Sequence, residues 1–189
     1  YTSLMDMEGK LTGEIRKYPS HHKYLCQYLK YMNAVPHPTW LVRKTVYEKL
    51  NAYRDIPCAD DYDFLIRVCL GGYRIGVVPE PLLRYRINRR GMTQQNIASQ
   101  KIVSPYLADQ LRKNRIYTEE EIANYRTRHK HEEEKLVRYY TAGKKWKNGE
   151  RTSFVEKCGV LFNSRTFEEI GQRLACKWIF CRDRRYDNY

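Results

Sequence analysis

Residues 60–87 constrain the fold more than any other part of the chain. An apolar helical pattern over residues 60–70 ends at Gly71-Gly72, a pair that readily closes a helix. Two apolar segments, 73–78 and 82–87, have the composition of strands, and the prolines of residues 79–81 join them rigidly. A helix followed by two strands predicts an α/β layer and disfavours a helical bundle.

The predicted helix begins with the acidic cluster Asp60-Asp61-Tyr62-Asp63, in a chain whose net charge is +13. In one interpretation Asp60 or Asp61 caps the helix and accepts hydrogen bonds from its first backbone amides. In the other, one carboxylate is held ionised and faces a cleft, where it accepts a proton from a substrate hydroxyl. Asp63 is expected to cap or brace the helix and to pair with Arg67 four residues later.

Before this helix, the chain predicts a hairpin with its turn at Glu8-Gly9 and a helix over residues 21–31 that Ser20 caps. Pro36 and Pro38 make the following segment extended or looped. A short helix over residues 45–50 then ends at Asn51, which tolerates the left-handed conformation.

Beyond residue 97 the pattern is helical. Thr118 with Glu121, and Thr166 with Glu169, form two predicted capping boxes, which open helices that extend to about residues 142 and 181. The second helix has an apolar face with basic residues around it, consisting of Phe167, Ile170, Leu174, Trp178 and Ile179. This face is expected either to pack against the protein or to lie on a membrane surface.

Charge and cysteine content limit the functional classes. A net charge of +13 suits an anionic ligand, a nucleic acid or an acidic membrane surface. The six cysteines lack the spacing of zinc ligands, so a structural zinc site is not expected. No signal peptide and no membrane-spanning run is evident, which predicts a reduced, cytosolic protein, with peripheral membrane contact as an option.

Several short motifs occur in a specific order between Tyr1 and Asn96. They are His37-Pro38-Thr39, Leu50-Asn51-Ala52-Tyr53, Asp60-Asp61-Tyr62-Asp63, Gly72-Tyr73, and Pro79-Glu80-Pro81-Leu82 with Tyr85-Arg86. In this order and at these separations, the chain resembles the acceptor half of a family 2 glycosyltransferase with the GT-A fold. The resemblance implies an α/β fold, a partial GT-A-like nucleotide-diphospho-sugar transferase, over residues 1–97. An α-helical C-terminal extension over residues 98–189 would follow it.

The resemblance also implies roles for individual residues. Asp61 would be the general base that takes the proton of the acceptor hydroxyl, and Asp60 stands where the family usually has Glu. The acceptor would be contacted by His37, Thr39 and Tyr62. The leaving diphosphate would be met by Arg86 and Arg89. For His37 and Arg86, structural roles in a loop and in an edge strand are equally open.

The family's donor-binding half, with its Asp-x-Asp, would lie before Tyr1. The chain is therefore expected to be a fragment that does not turn over alone, and the divalent metal, Mg²⁺ or Mn²⁺, is expected to be held mainly by that other half and not by residues of this chain. The implied function is transfer of a sugar from a nucleotide-diphosphate donor to a glycan or lipid-linked acceptor, with inversion, in bacterial surface polysaccharide synthesis. Residues 98–189 would serve membrane contact or homodimerisation.

An alternative of a different class is a basic, non-catalytic module that binds nucleic acid or an acidic partner. Arg89-Arg90, Lys144–Lys147 and Arg182–Arg185 support it, because cations beside aromatic rings contact phosphates and bases. These runs are scattered and match no nucleic-acid motif, and acidic runs dilute their charge. Nucleic acid is therefore the less favoured partner.

Overall fold

Three strands form one sheet. The computed structural model describes residues 1–33, 35–88, 91, 95–153 and 165–186, and only the backbone of residues 147, 165–170, 185 and 186. The strands are β1 (Thr2–Met5), β2 (Leu11–Arg16) and β3 (Leu83–Arg86), in the order β2-β1-β3. β1 is antiparallel to β2 and parallel to β3. The predicted hairpin is confirmed, and Gly9 takes a positive φ of 91° in its turn.

Helices make up most of the rest of the described chain. They are α1 (His22–Leu29), α2 (Lys44–Lys49), α3 (Asp60–Leu70), α4 (Ile97–Arg112), α5 (Glu119–Arg128), α6 (Lys130–Lys147) and α7 (Arg165–Tyr186). Together with the sheet they confirm the predicted α/β class. The predicted helix stops are also confirmed, because Asn51 and Gly72 adopt left-handed φ values of 53° and 74° just after α2 and α3.

One hydrophobic core joins the two predicted parts of the chain. Its buried side chains come from α1, from the loop before α3, from α3 itself, and from α4 and α5; they include Leu29, Ile56, Ile66, Leu107 and Ile122. Residues on both sides of position 97 therefore contribute to one core, and the domain division at this position stays a prediction.

The predicted strand over residues 73–78 is wrong. Its side chains do alternate, with Tyr73, Ile75 and Val77 half-buried and their neighbours exposed. Its backbone, however, has no neighbouring strand among the described residues. Instead the Ile75 amide donates to His22 Nδ1 at 3.2 Å and the Val77 amide donates to Ser20 O at 3.1 Å. The alternation of apolar and polar residues correctly indicates which side chains point inward. A β-strand also requires a neighbouring strand to which its backbone can hydrogen-bond, and the sequence pattern does not show that.

The C-terminal helices differ from their predicted boundaries. The capping box of Thr118 and Glu121 is confirmed, but the helix it opens ends at Arg128 and α6 starts two residues later. His129 separates the two helices, with its ring stacked on Tyr125 at 4.0 Å. The predicted helix near the C-terminus exists as α7, whereas the side chains of its predicted capping box, Thr166 and Glu169, lie outside the described residues.

Helix α7 packs on α1 through a buried carboxylate. Asp183, 1% exposed, accepts hydrogen bonds from the amides of Ser20 and His21 at 2.8 and 3.1 Å. Asp183 thus satisfies the start of α1 from another helix. The prediction that Ser20 caps α1 is wrong, since His21 is the N-cap and the Ser20 hydroxyl also donates to Asp183.

The predicted apolar face of α7 is only partly correct. Ile179 is buried, but Leu174 and Trp178 are 63% and 58% exposed. Cys176 and Asp183 complete the buried side in their place. Phe167 and Ile170 belong to the residues whose side chains are not described.

Replacing Ala52 by Gly is expected to stabilise the protein by about 0.5–1 kcal/mol. Ala52 has a φ of +48°, a conformation that costs an L residue with a Cβ about 1 kcal/mol and costs Gly little. Urea denaturation of the parent and of Ala52→Gly measures the difference. The control is Ala123→Gly, at an exposed helical position of α5, which is expected to lose about 1 kcal/mol. Equal destabilisation by both changes would contradict this account.

Candidate active site

The carboxylate of Asp61 lies in the first turn of α3 and has a fixed orientation. Its Oδ1 accepts the backbone amide of Tyr62 at 2.7 Å, and its Oδ2 accepts Asn33 Nδ2 at 3.0 Å. Each oxygen therefore has one donor and retains acceptor capacity for a further ligand. Asp60, the residue before it, is exposed. The capping interpretation is only partly correct: Ala59 occupies the N-cap position and no side chain caps it, but Asp61 does accept a backbone amide of the first turn.

The environment of Asp61 favours its protonated form. Burial raises the pKa of Asp61 above the ordinary value, and the negative charge of Asp60 adds to this effect. The hydrogen bonds from Tyr62 and Asn33 and the nearby His37 act in the opposite direction and lower the pKa. The net result is a partly desolvated carboxylate that binds a proton more readily than one in water, which suits a general base.

A cluster of aromatic side chains stands next to Asp61. His37 Nε2 is 2.7 Å from the hydroxyl of Tyr53, and this hydroxyl is 2.8 Å from that of Tyr47. The rings of Tyr47 and Tyr53 pack on the buried ring of Phe64 at centroid distances of 4.6 and 5.2 Å. Burial raises the pKa of Tyr53, and the charges of Asp60 and Asp61 contribute to that shift, so Tyr53 lies within electrostatic reach of both carboxylates.

The other predicted acceptor residues divide into one that is accessible and one that is not. Thr39 is exposed, and its hydroxyl donates to the carbonyl of Pro36 at 2.7 Å. Tyr62 is 1% exposed, and its hydroxyl donates to the carbonyl of Leu29 inside the core. A side chain this deeply buried offers an acceptor no surface, so the structure gives Tyr62 a packing role.

Of the two predicted diphosphate residues, the structure describes Arg86, which belongs to the sheet. Arg86, at the end of β3, donates through Nη1 to the carbonyls of Asp6 and Met7, the first at 3.2 Å. It therefore supports the turn of the hairpin. Arg89 lies outside the described residues.

A buried ion pair connects α3 to the turn that carries Tyr53. Asp63 is fully buried and accepts Arg67 Nε at 2.7 Å, which confirms the predicted pairing four residues apart. The hydroxyl of Tyr117 donates to the other carboxylate oxygen at 2.7 Å. Arg67 also donates to the carbonyls of Leu50 and Ala52, the second at 2.8 Å. Asp63 and Arg67 thus hold the Leu50–Ala52 turn, and with it Tyr53, against the helix that carries Asp61.

Sequence reasoning missed three residues of this cluster: Asn33, Tyr47 and Tyr53. Tyr53 ends the motif Leu50-Asn51-Ala52-Tyr53, and Asn33 comes just before the proline-containing loop. Position in the sequence was the only signal that either residue carried. Tyr47 lies on α2 and carried no signal beyond its aromatic ring. Their contacts join residues up to 28 positions apart, which helical or strand periodicity does not encode.

A separate cavity of about 510 Å³ lies between the loop before α3 and helices α4, α5 and α6. Its floor is apolar, and its rim carries acidic and basic side chains. The lining includes Asp55, Ile56, Val103, Ile122, Arg126 and Glu133. None of the predicted site residues lines it. Within the described part of the chain, no group of three or more His, Cys, Asp or Glu side chains is placed to hold a metal ion.

Comparison with known proteins finds partial similarity to glycosyltransferases. The chain is 28% identical over 103 residues to an uncharacterized glycosyltransferase of Methanocaldococcus jannaschii, covering 54% of this chain and 36% of that protein. It is 35% identical over 83 residues to an uncharacterized glycosyltransferase of Haemophilus influenzae, covering 41% and 24%. It is 30% identical over 115 residues to an O-antigen biosynthesis glycosyltransferase of Escherichia coli, covering 60% and 44%.

The matched part thus spans less than half the length of each of these relatives. No protein-family profile matches the chain, and no solved structure does. Among the helices of the described residues, none has the length and apolar character needed to cross a bilayer.

Asp63→Asn is expected to destabilise the protein by about 3–5 kcal/mol, because it leaves the buried Arg67 guanidinium without a counter-charge. Chemical denaturation measures the loss. Asp109→Asn is the matched control, since Asp109 pairs with Lys113 at the same spacing but on the surface, where such a pair contributes about 0–1 kcal/mol. Similar losses in the two variants would contradict the special role of the buried pair.

Asp61→Asn is expected to be more stable than the parent near neutral pH, with the difference shrinking toward about pH 4. Because burial raises the pKa of Asp61, the folded state holds its proton at pH values where the unfolded state has lost it. The parent therefore loses stability as pH rises through that window, whereas Asn cannot ionise. Denaturation at both pH values tests this. Asp60→Asn controls for removing one negative charge from the helix start, and a pH-independent difference would contradict the prediction.

Proposed function

We propose that this chain is the acceptor-side part of a glycosyltransferase of family 2 with the GT-A fold, and that Asp61 is its catalytic base. The observation that carries the proposal is the placement of Asp61, held by Asn33 and the Tyr62 amide beside the cluster of His37, Tyr47 and Tyr53. The similarity to proteins named glycosyltransferases over about half of the chain supports the reaction class.

In the proposed reaction an acceptor hydroxyl attacks the anomeric carbon of a nucleotide-diphosphate sugar. The new bond joins the hydroxyl oxygen to the anomeric carbon, the bond from that carbon to the diphosphate breaks, and Asp61 takes the hydroxyl proton. Attack opposite the leaving group inverts the configuration. A base with a raised pKa supports this step, because it takes the proton more readily as the hydroxyl becomes acidic in the transition state.

Asn33 and the amide of Tyr62 each donate to one oxygen of the Asp61 carboxylate and so fix its orientation before the substrate binds. Each oxygen can still accept a hydrogen bond from the substrate hydroxyl. We propose that the acceptor lies against His37, Thr39 and Tyr53, whose side chains are exposed. Exposed aromatic faces next to a base suit the apolar faces of a sugar ring. Asp60 supplies a second negative charge at the rim.

On the donor side, Arg86 and Arg89 are proposed to neutralise the leaving diphosphate. Arg86 uses Nη1 for the hairpin carbonyls, and a guanidinium has five N–H donors in all. The described residues do not fit a divalent metal by themselves. The Mg²⁺ or Mn²⁺ expected of this family is proposed to be held mainly by a donor-binding part outside this chain. No step of the reaction on this chain's residues is assigned to the metal.

The proposed setting is synthesis of a bacterial surface polysaccharide on the cytoplasmic side of the membrane, with a glycan or a lipid-linked glycan as acceptor. One of the matched relatives is named for O-antigen biosynthesis, and this supports the class of product.

Asp61→Asn is expected to lower the rate of sugar transfer by at least about 10²-fold while leaving donor binding unchanged, because it removes the base and keeps the size of the side chain. The assay uses the protein with its natural upstream sequence, UDP- and GDP-linked hexoses as donors, and release of nucleoside diphosphate in the presence of extracted glycolipid acceptor. Asp60→Asn is the matched control and is expected to retain most of the rate. Equal rates for the parent and Asp61→Asn would exclude Asp61 as the base.

A further inference from the structure

Helix α7 has two opposite faces of different character. One face is buried on the protein, where Cys176, Ile179 and Asp183 are 3%, 3% and 1% exposed. The opposite face presents Leu174 and Trp178, which are 63% and 58% exposed. Cys181, also exposed, continues this stripe at the spacing expected for one side of a helix. We call Leu174, Trp178 and Cys181 the outer stripe.

Cationic side chains flank the outer stripe. Arg173 and Lys177 lie on one side and Arg182 on the other, and all three are exposed. The guanidinium of Arg182 stands over the ring of Trp178, with Cζ 4.7 Å from the ring centroid. Asp183 is the one acidic residue between 171 and 184, and its carboxylate is buried against α1. The exposed surface of this segment is therefore apolar along its centre and positive along its edges.

We propose that the outer stripe of α7 binds the surface of an anionic lipid membrane, with the helix lying parallel to that surface. Trp and Leu side chains gain by entering the boundary between head groups and acyl chains, and flanking Lys and Arg pair with acidic head groups. The stacking of Arg182 on Trp178 keeps a cation at the level where the indole ring would sit. The protein's net charge of +13 favours the same surface at longer range.

Charge argues against a second copy of the chain as the partner of this face. A two-fold interface would bring the stripe against its own copy, together with Arg173, Lys177 and Arg182 from both chains. These like charges would then approach each other without described acidic side chains on the same face to offset them. An anionic lipid surface supplies the opposite charge.

The inference is independent of the sugar-transfer chemistry, because the residues that hold Asp61 lie on other elements. The test is flotation of the complete protein with vesicles of phosphatidylglycerol and phosphatidylethanolamine, compared with vesicles of phosphatidylcholine alone. The double variant Leu174→Ser with Trp178→Ser is expected to bind the anionic vesicles at least about tenfold more weakly than the parent. Circular dichroism and denaturation establish that the variant is folded.

The matched control is Trp146→Ser on α6, because Trp146 is 39% exposed and also follows two lysines. It is expected to bind as the parent does. A second variant, Arg173→Glu with Lys177→Glu, keeps the apolar stripe and is expected to lower vesicle binding by about tenfold or more. Adding 1 M salt to the parent protein is expected to lower vesicle binding to a similar extent, because salt screens the attraction to the head groups.

Three results would overturn the proposal: unchanged vesicle binding in the Leu174 and Trp178 variant, equal binding to phosphatidylcholine, or an equal loss in Trp146→Ser. A shift from dimer to monomer in light scattering, with no vesicle binding by the parent, would assign the stripe to a second copy of the chain instead.

Discussion

Inside the core, the carboxylate of Asp63 accepts hydrogen bonds from Arg67 and from the hydroxyl of Tyr117. A fully buried carboxylate without such partners would be very unfavourable, so the three groups must assemble together. Tyr117 lies between α4 and α5, and Arg67 reaches back to the turn after α2. This one charge therefore determines how the helical part of the chain packs against α3.

The geometry of the candidate active site follows from this assembly. Arg67 donates hydrogen bonds to the carbonyls of Leu50 and Ala52, and Tyr53 follows Ala52 in the chain. Tyr53 in turn contacts His37 and Tyr47. Asp61 stands two residues before Asp63 on the same helix, so Asp61 and the aromatic cluster are positioned by the same buried pair. Asp61 stays partly exposed, while Asp63, two residues later, is fully buried and holds the surrounding segments together.

Local signals in the sequence were sufficient for the elements around the site. Helix-end and helix-start signals act within one helical turn, and they are correct where expected. Asn51 and Gly72 follow the ends of α2 and α3, and the capping box of Thr118 and Glu121 begins α5. The pairing of Asp63 with Arg67 is equally local. For the site itself, the sequence indicated Asp61 and His37 as candidates, and the structure adds their surroundings.

Contacts between distant segments could not be predicted in this way. Whether residues 73–78 form a strand depends on a neighbour that supplies a ladder, and amino-acid alternation does not report on that neighbour. The hydrogen bond from Asn33 to Asp61 depends on how a proline-containing loop returns to α3. For α7, the periodic pattern predicted a helix but not which side of it is buried. Asp183 determines the buried side, because the first amides of α1 need hydrogen-bond acceptors and Asp183 supplies them. A pattern of apolar residues alone does not include this polar interaction.

The bonds of Asp183 to Ser20 and His21 also affect the order in which the molecule can form during synthesis. These partners are separated by 163 and 162 positions, nearly the whole chain. While the ribosome is still making the chain, the first amides of α1 can be satisfied only by water, and closing so long a loop is slow. Helix α1 therefore reaches its final hydrogen bonding only after Asp183 has been synthesised, 162 residues after His21.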